Sequence, residues 1–428
     1  MLGSCSETPP GPQILVEIVR PDGTTALDGV DHAVVTVQQV GEPASVTEQV
    51  VTNGLDIALE VADPFAQLDV TIELSGPSIE RIGAPPRFVI AEAGSAIRVL
   101  ADSPSHCEIV SGLTLESSGG VGLSLHWTYA LVIGPSDNAG FIDLLDFSYT
   151  SFARLGQELG RTVATSLGGS RALVISENVA PFIYDLSSNR TPVIAVDLHV
   201  GAGLTSTFVE LGTDGALVIG GGSNSEPVAA ATWLDREGQP QSATLATRRS
   251  RAAAVRWGEG ILIVGGQQIG ELFAELIPLG ASSSEPIDVG INEVRVGGAL
   301  FVDSEGTRAL LVGGTDALGA VRAETFVIEG RGASPGPTWG SPRIEPTALP
   351  FPGGGGLLLG STTAVDRVVF GDSVHLEPTG SLRTARDFPS AITFGTGISL
   401  VAGGTNTADS GRGVEICFPP SLVLPGRM

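Results

Sequence analysis

Seven short apolar runs that end in small residues recur along this chain at nearly equal spacing. They are Ala130-Leu-Val-Ile-Gly134, Ala172-Leu-Val-Ile-Ser176, Ala216-Leu-Val-Ile-Gly-Gly221, Ile261-Leu-Ile-Val-Gly-Gly266, Leu310-Leu-Val-Gly-Gly314, Leu357-Leu-Leu-Gly-Ser361 and Leu400-Val-Ala-Gly-Gly404. The first small residues of successive runs lie 42, 44, 45, 48, 47 and 43 positions apart. A fixed period of this length means that each unit is one supersecondary element that buries its apolar face against its neighbours. Before the run lies a second strand-like stretch and a Gly-containing turn, as in Ala252–Trp257 with Gly258–Gly260, or Pro389–Phe394 with Gly395–Gly397. That pairing reads as a hairpin. After the run come a polar loop and a third stretch, as in Pro181–Asp185, Ala231–Asp235, Glu324–Ile328 and Val414–Cys417, and less regular residues leave room for a fourth.

Four short strands in each of seven units predict an all-β chain whose larger part is a seven-bladed β-propeller. Composition agrees: 58 Gly and 28 Pro in 428 residues supply turns rather than long helices, and 42% hydrophobic residues are ample for a core. The run with its diglycine resembles the kelch repeat. The resemblance covers about three quarters of the chain, and the aromatic pair that follows a kelch diglycine is mostly missing. Gly-Pro, Ser-Glu and Gly-Ser replace diglycine in three units, and the Gly-His and Trp-Asp dipeptides of WD40 arrays do not occur. In many kelch repeats an Arg precedes the diglycine at the distance that separates Arg251 from Gly265. The likeness implies that Arg161, Arg251 and Arg386, each ahead of an inner strand, are ligand-binding positions at one end of the propeller; salt bridges to carboxylates are the alternative.

Residues 14–102 lack the period. Strand candidates there are Ile14–Val19, Ala33–Val40, Leu55–Val61, Leu68–Leu74, Arg87–Ile90 and Ala96–Leu100. Several alternate apolar with polar residues, which marks half-buried strands. So many strands in so few residues suggest a small immunoglobulin-like β-sandwich, although the Cys…Trp…Cys framework is absent. The expected division is 1–13 as a tether, 14–102 as the sandwich and 103–428 as the seven-bladed kelch-like propeller.

Met1-Leu2-Gly3-Ser4-Cys5 resembles the end of a bacterial lipoprotein signal peptide, which implies lipidation at Cys5 and a place at the cell envelope, on the outer membrane or cell surface, or else in the periplasm. No run of 18 apolar residues occurs, so membrane contact is expected only through that lipid. Cys107 and Cys417 bracket the repeat array and are predicted to form a disulfide that closes the ring, as an oxidising compartment allows.

Charge and residue types narrow the function. The net charge is −24, which repels phosphate backbones, so nucleic acid is not an expected partner. All 23 basic residues are Arg, which excludes Schiff-base and phosphate-loop lysine chemistry. Gly332-Ala-Ser-Pro-Gly336 matches a nucleophile elbow as a string, but Pro335 has no N–H for an oxyanion hole, and the segment reads as a loop. The five His have no metal spacing and Tyr is scarce, so neither a metal nor another cofactor is expected. Polar residues after the runs, Ser136–Asn138, Glu177–Asn178, Ser223–Glu226, Gly270–Glu271, Thr315–Asp316, Thr405–Asn406 and Asp409, read as solvated turns. The expected function is a monomeric, non-catalytic binding or scaffold protein that meets a protein or glycan at the cell envelope. The contrasting expectation is a carbohydrate-active enzyme with its site in the central funnel.

Overall fold

The computed structural model describes residues 13–422 except 40–43, 52–56, 61–66, 86–88, 91–95, 117–120, 127–128, 188–192, 199–203, 223–225, 270–272, 352 and 405–411. Cys5 and the tether lie outside the described residues. The chain is all-β: among the described residues the strands form one eight-stranded sheet and seven smaller sheets of four or five strands.

The seven smaller sheets, numbered 1–7 in chain order, begin with the strands Gly122–His126, Thr162–Gly168, Thr207–Glu210, Ala253–Trp257, Ala299–Val302, Thr347–Pro350 and Ser390–Thr393. The seven apolar runs supply the second strand of each, Tyr129–Ile133, Arg171–Ser176, Ala216–Ile219, Gly260–Val264, Arg308–Val312, Gly356–Gly360 and Ser399–Ala402. These strands are flanked on both faces by neighbouring sheets. All four residues of Ala216–Ile219 and all five of Gly260–Val264 are buried, which is why the sequence shows continuous apolar runs instead of alternation. Within each sheet the strands are antiparallel neighbours.

The first strand of each sheet adjoins the first strand of the next, and that of sheet 7 adjoins that of sheet 1. The order is circular. Between consecutive sheets lies an apolar cluster, such as Leu217, Ile219, Ile261 and Ile263 between sheets 3 and 4, or Phe301, Leu310, Leu358 and Val368 between sheets 5 and 6. Hydroxyls add links at the inner strands: Thr207 Oγ1 donates to the Ala252 carbonyl at 2.6 Å, Thr347 Oγ1 to that of Pro389 at 3.1 Å, and Ser390 Oγ to that of Val121. The diglycines follow from close approach. Gly265 has φ +65°, and a Cβ there would stand 2.4 Å from the carbonyl oxygen of Arg295 in the next unit.

Sheet 7 takes its outer strand from the other end of the array. Cys107–Thr114 pairs antiparallel with Gly413–Cys417, Cys107 falls opposite Cys417, and the two form a disulfide across 310 residues of sequence.

The segment Gly332–Pro335 is a strand, the outermost of sheet 5, and not the loop read from its Gly and Pro content. An edge strand tolerates Pro because its missing N–H faces away from the ladder. With strand residues on both sides of Ser334 and no helix behind it, the elbow match remains a coincidence of letters.

Among the described residues of 13–102 each predicted strand has a counterpart, and Ser45–Val50 and Ile79–Ala84 are additional; residues 40, 55–56, 61 and 87–88 of the predicted strands lie outside the described residues. All eight pair into one sheet, with Gln13–Val19 parallel to Ala96–Asp102. Val35, Val70 and Ile72 from one half share a core with Val16, Ile18 and Val99 from the other. The two halves meet at Ile79–Ala84, which pairs with Gln67–Gly76 over 79–83 and with Ala96–Asp102 over 82–84 only, so the sheet folds over on itself there. Ile82, Ala84 and Leu100 continue into the apolar cluster that joins sheets 7 and 1, so this unit packs against the closure of the circle.

Candidate functional site

Antiparallel pairing places the loops that enter the first strands and the loops that leave the second strands at one end of the array. Four arginines there are wholly enclosed. Arg249, Arg295, Arg343 and Arg386 each precede the first strand of sheets 4–7 and are at most 2% exposed. Each donates to a carbonyl in or just after the second strand of its own sheet: Arg249 to Gly265 at 2.5 Å, Arg295 to Gly313 at 3.4 Å, Arg343 to Leu358 at 2.9 Å and Arg386 to Gly403 at 2.7 Å. Each also meets carboxylates. Arg249 pairs with Glu275, Arg343 with Asp366 at 2.6 Å, Arg386 with Glu415 at 3.0 Å, and Arg295 with Glu293 at 2.8 Å and Glu324 at 4.0 Å. Burial lowers the affinity of Arg249 and Arg343 for a proton, and their acidic partners oppose that shift.

Arg386, an expected ligand position, is fully buried and takes the alternative read from the sequence, an ion pair with a carboxylate. Its guanidinium is spent inside sheet 7, where it also donates to the Gly413 carbonyl, because Glu415 beside it is fully buried and requires a cation. Arg249, Arg295 and Arg343 were missed by sequence reading. Their signal was an Arg 15 to 18 residues ahead of the second-strand carbonyl it bonds, with an acidic residue in or beside the third strand in three sheets and close to it in the fourth.

Two residues after each buried arginine the chain turns through a left-handed conformation: Arg251 (φ 55°), Gly297 (φ 68°), Glu345 (φ 47°) and Phe388 (φ 52°). Only Gly adopts that region freely, so three of the four positions carry a side chain at a conformational cost. Those side chains meet partners from other repeats. Arg251, ahead of sheet 4, forms an ion pair with Glu345, ahead of sheet 6. Gly297 makes this possible, because a Cβ at that position would lie 2.4 Å from Glu345 Cγ. Arg161, ahead of sheet 2, holds its guanidinium 4.1 Å from the centroid of the Phe388 ring, a cation–π geometry. Burial lowers the proton affinity of Arg161, with Glu177 opposing; burial lowers that of Arg251 too, and the charge of Arg161 lowers it further. The two guanidiniums thus lie near enough to repel one another.

The polar loop residues serve the fold where they are described. Asp316 Oδ1 accepts the N–H groups of Leu318 and Ala320, and Gly134 N–H donates to the Asn138 carbonyl. Residues 223–225, 270–271, 405–406 and 409 lie outside the described residues. Among the described residues, His126 is buried against Ser124 and the Gly169 carbonyl, and His375 meets Ser373; His199 lies outside the described residues. His106 offers a ligand atom within 4.8 Å of those of Asp102 and Glu108. Arg20 contacts Asp102 and Arg383 contacts Glu108, so cations of the chain already answer these carboxylates.

No protein-family model matches the chain, and no curated protein does. Among solved structures, one described as "Structure of YjhT" is 12% identical over 62% of this chain and 99% of its own, with a TM-score of 0.44. The functional reading rests on the chain's own geometry.

Proposed function

We propose that this chain is an exported, non-catalytic binding protein. In this reading sheets 1–7 are the blades of a kelch-like seven-bladed propeller, residues 14–102 are an immunoglobulin-like sandwich docked on its closure, and Cys5 carries a lipid anchor. The circular order of first strands supports the propeller, the fold-over of the N-terminal sheet supports the sandwich, and the disulfide fits an oxidising compartment.

The observation that carries the binding role is the strained trio Arg251, Glu345 and Phe388. Backbone strain persists where the surroundings enforce it, and it concentrates at functional sites. Here glycine serves at the equivalent position 297, yet the other three positions hold a cation, an anion and an aromatic ring, in two pairs: Arg251 with Glu345, and Phe388 with Arg161. That is a rigid, amphipathic recognition surface for an acidic patch on a protein or glycan. The test is a glycan and protein array probed with the purified chain and with an Arg161→Ala/Arg251→Ala variant. The reading expects ligands whose capture falls at least about tenfold in the variant, as loss of charge-assisted bonds implies. Capture of the acidic ligands that is equal for both proteins, or release of hydrolysed product from an arrayed glycan, overturns it.

A further inference from the structure

The end opposite Arg161 and Arg251 carries a second feature. A cleft of about 370 Å³ opens between the turns of sheets 3 and 4, within the size range of small-molecule sites. Its apolar lining includes buried Trp233 and half-exposed Leu279. Its rim is polar: Asp214, Asp235, Gln239 and Arg256 all line it and are exposed.

The cleft is preformed. Trp233 Nε1 donates to the Ala281 carbonyl across the sheet boundary at 2.8 Å, which fixes the indole. Asp235 Oδ1 accepts the Gln239 N–H at 2.7 Å and closes the turn that bears both residues. Gln241 also lines the cleft and is exposed, so the lining offers two carboxylates, two amides and a guanidinium.

We propose that this cleft binds a neutral saccharide. The choice follows from what each ligand class would meet. An anion would face two carboxylates against one guanidinium on a chain of net charge −24. A simple cation would face Arg256, and an apolar ligand would desolvate five polar side chains, Asp214, Asp235, Gln239, Gln241 and Arg256, without pairing them. A sugar ring presents adjacent hydroxyls, each donor and acceptor, to planar carboxylate, amide and guanidinium groups, and lays its C–H face on the apolar lining. This site is separate from the one proposed above and does not depend on it.

Isothermal titration with maltotriose, cellotriose and xylotriose, with trigalacturonic acid as the anionic comparison, tests the proposal. At least one neutral trisaccharide is expected to bind. Its affinity should fall about tenfold or more in Arg256→Ala and in Gln239→Ala, as loss of a hydrogen bond at a charged or polar rim group implies. Both residues are exposed, so the thermal midpoint of each variant should match the parent, and Arg161→Ala/Arg251→Ala should bind the sugar unchanged. Absence of binding by all three neutral sugars, affinity within about twofold of the parent in both cleft variants, or equal binding of trigalacturonic acid overturns the proposal.

Discussion

Cys107 and Cys417 face each other in the last strand pair of sheet 7 and are joined by a disulfide that spans 310 residues. Both cysteines are buried, and they share an apolar cluster with Leu349, Leu357 and Val401 from sheets 6 and 7. The strand that carries Cys107 precedes sheet 1, so this bond locks the first-made part of the circle to its last.

Chain entropy gives a loop of that length about 6 kcal/mol of stabilisation at most, reduced by any structure left in the unfolded chain. Cys107→Ser/Cys417→Ser should therefore lower the urea midpoint strongly, with a loss of several kcal/mol. Tryptic peptides of the unreduced protein should contain the two cysteines linked. Separate alkylated Cys107 and Cys417 peptides, or a variant as stable as the parent, would refute the lock.

Arg386 and Glu415 make the second stabilising relationship, an ion pair with neither side chain exposed. Removal of one partner strands a buried charge, so Arg386→Ala should cost about 3–5 kcal/mol, whereas Arg386→Met/Glu415→Leu, which removes both, should recover most of the loss. Urea unfolding of the two variants decides it. If the double variant is no more stable than Arg386→Ala, the pair is not the source of the effect.

The sequence reading succeeded where burial is extreme and failed where it is slight. Ile261–Val264 and Leu357–Leu359 announce themselves because both of their faces are covered. The outer strands leave little trace: Val193–Ala195 is exposed throughout, and Gly332–Pro335 looks like coil because an edge strand accepts Pro. Ile79–Ala84 was missed because it turns the sheet's corner, where alternation breaks. At the candidate site, spacing identified arginines but not where their guanidiniums point. Arg251 and Arg386 look alike in sequence, yet the first reaches across to Glu345 and the second stays within its own sheet with Glu415. Glu345 and Phe388 could not be found by local pattern, because their partners Arg251 and Arg161 lie in distant repeats.

Asp303 offers a check of electrostatics by pH. The carboxylate is buried in the turn that closes the first hairpin of sheet 5. Burial raises its pKa, but the backbone N–H groups of Arg308 (3.1 Å) and Thr307 (2.8 Å), with the Arg308 and Thr307 side chains at 3.1 Å each, outweigh burial and hold it below the usual carboxylate value. A depressed folded pKa contributes stability that is complete above the unfolded value of about 4 and is lost as pH falls through the folded value. Asp303→Asn should thus be about 2 kcal/mol less stable than the parent at pH 7, from the loss of hydrogen bonds to a charged acceptor. The gap should hold down to about pH 4 and close progressively below it, because the parent then loses what the variant never had. Urea midpoints at pH 7, 4 and 2.5 measure this, and a gap that stays constant down to the lowest pH would show that Asp303 acts by shape and not by charge.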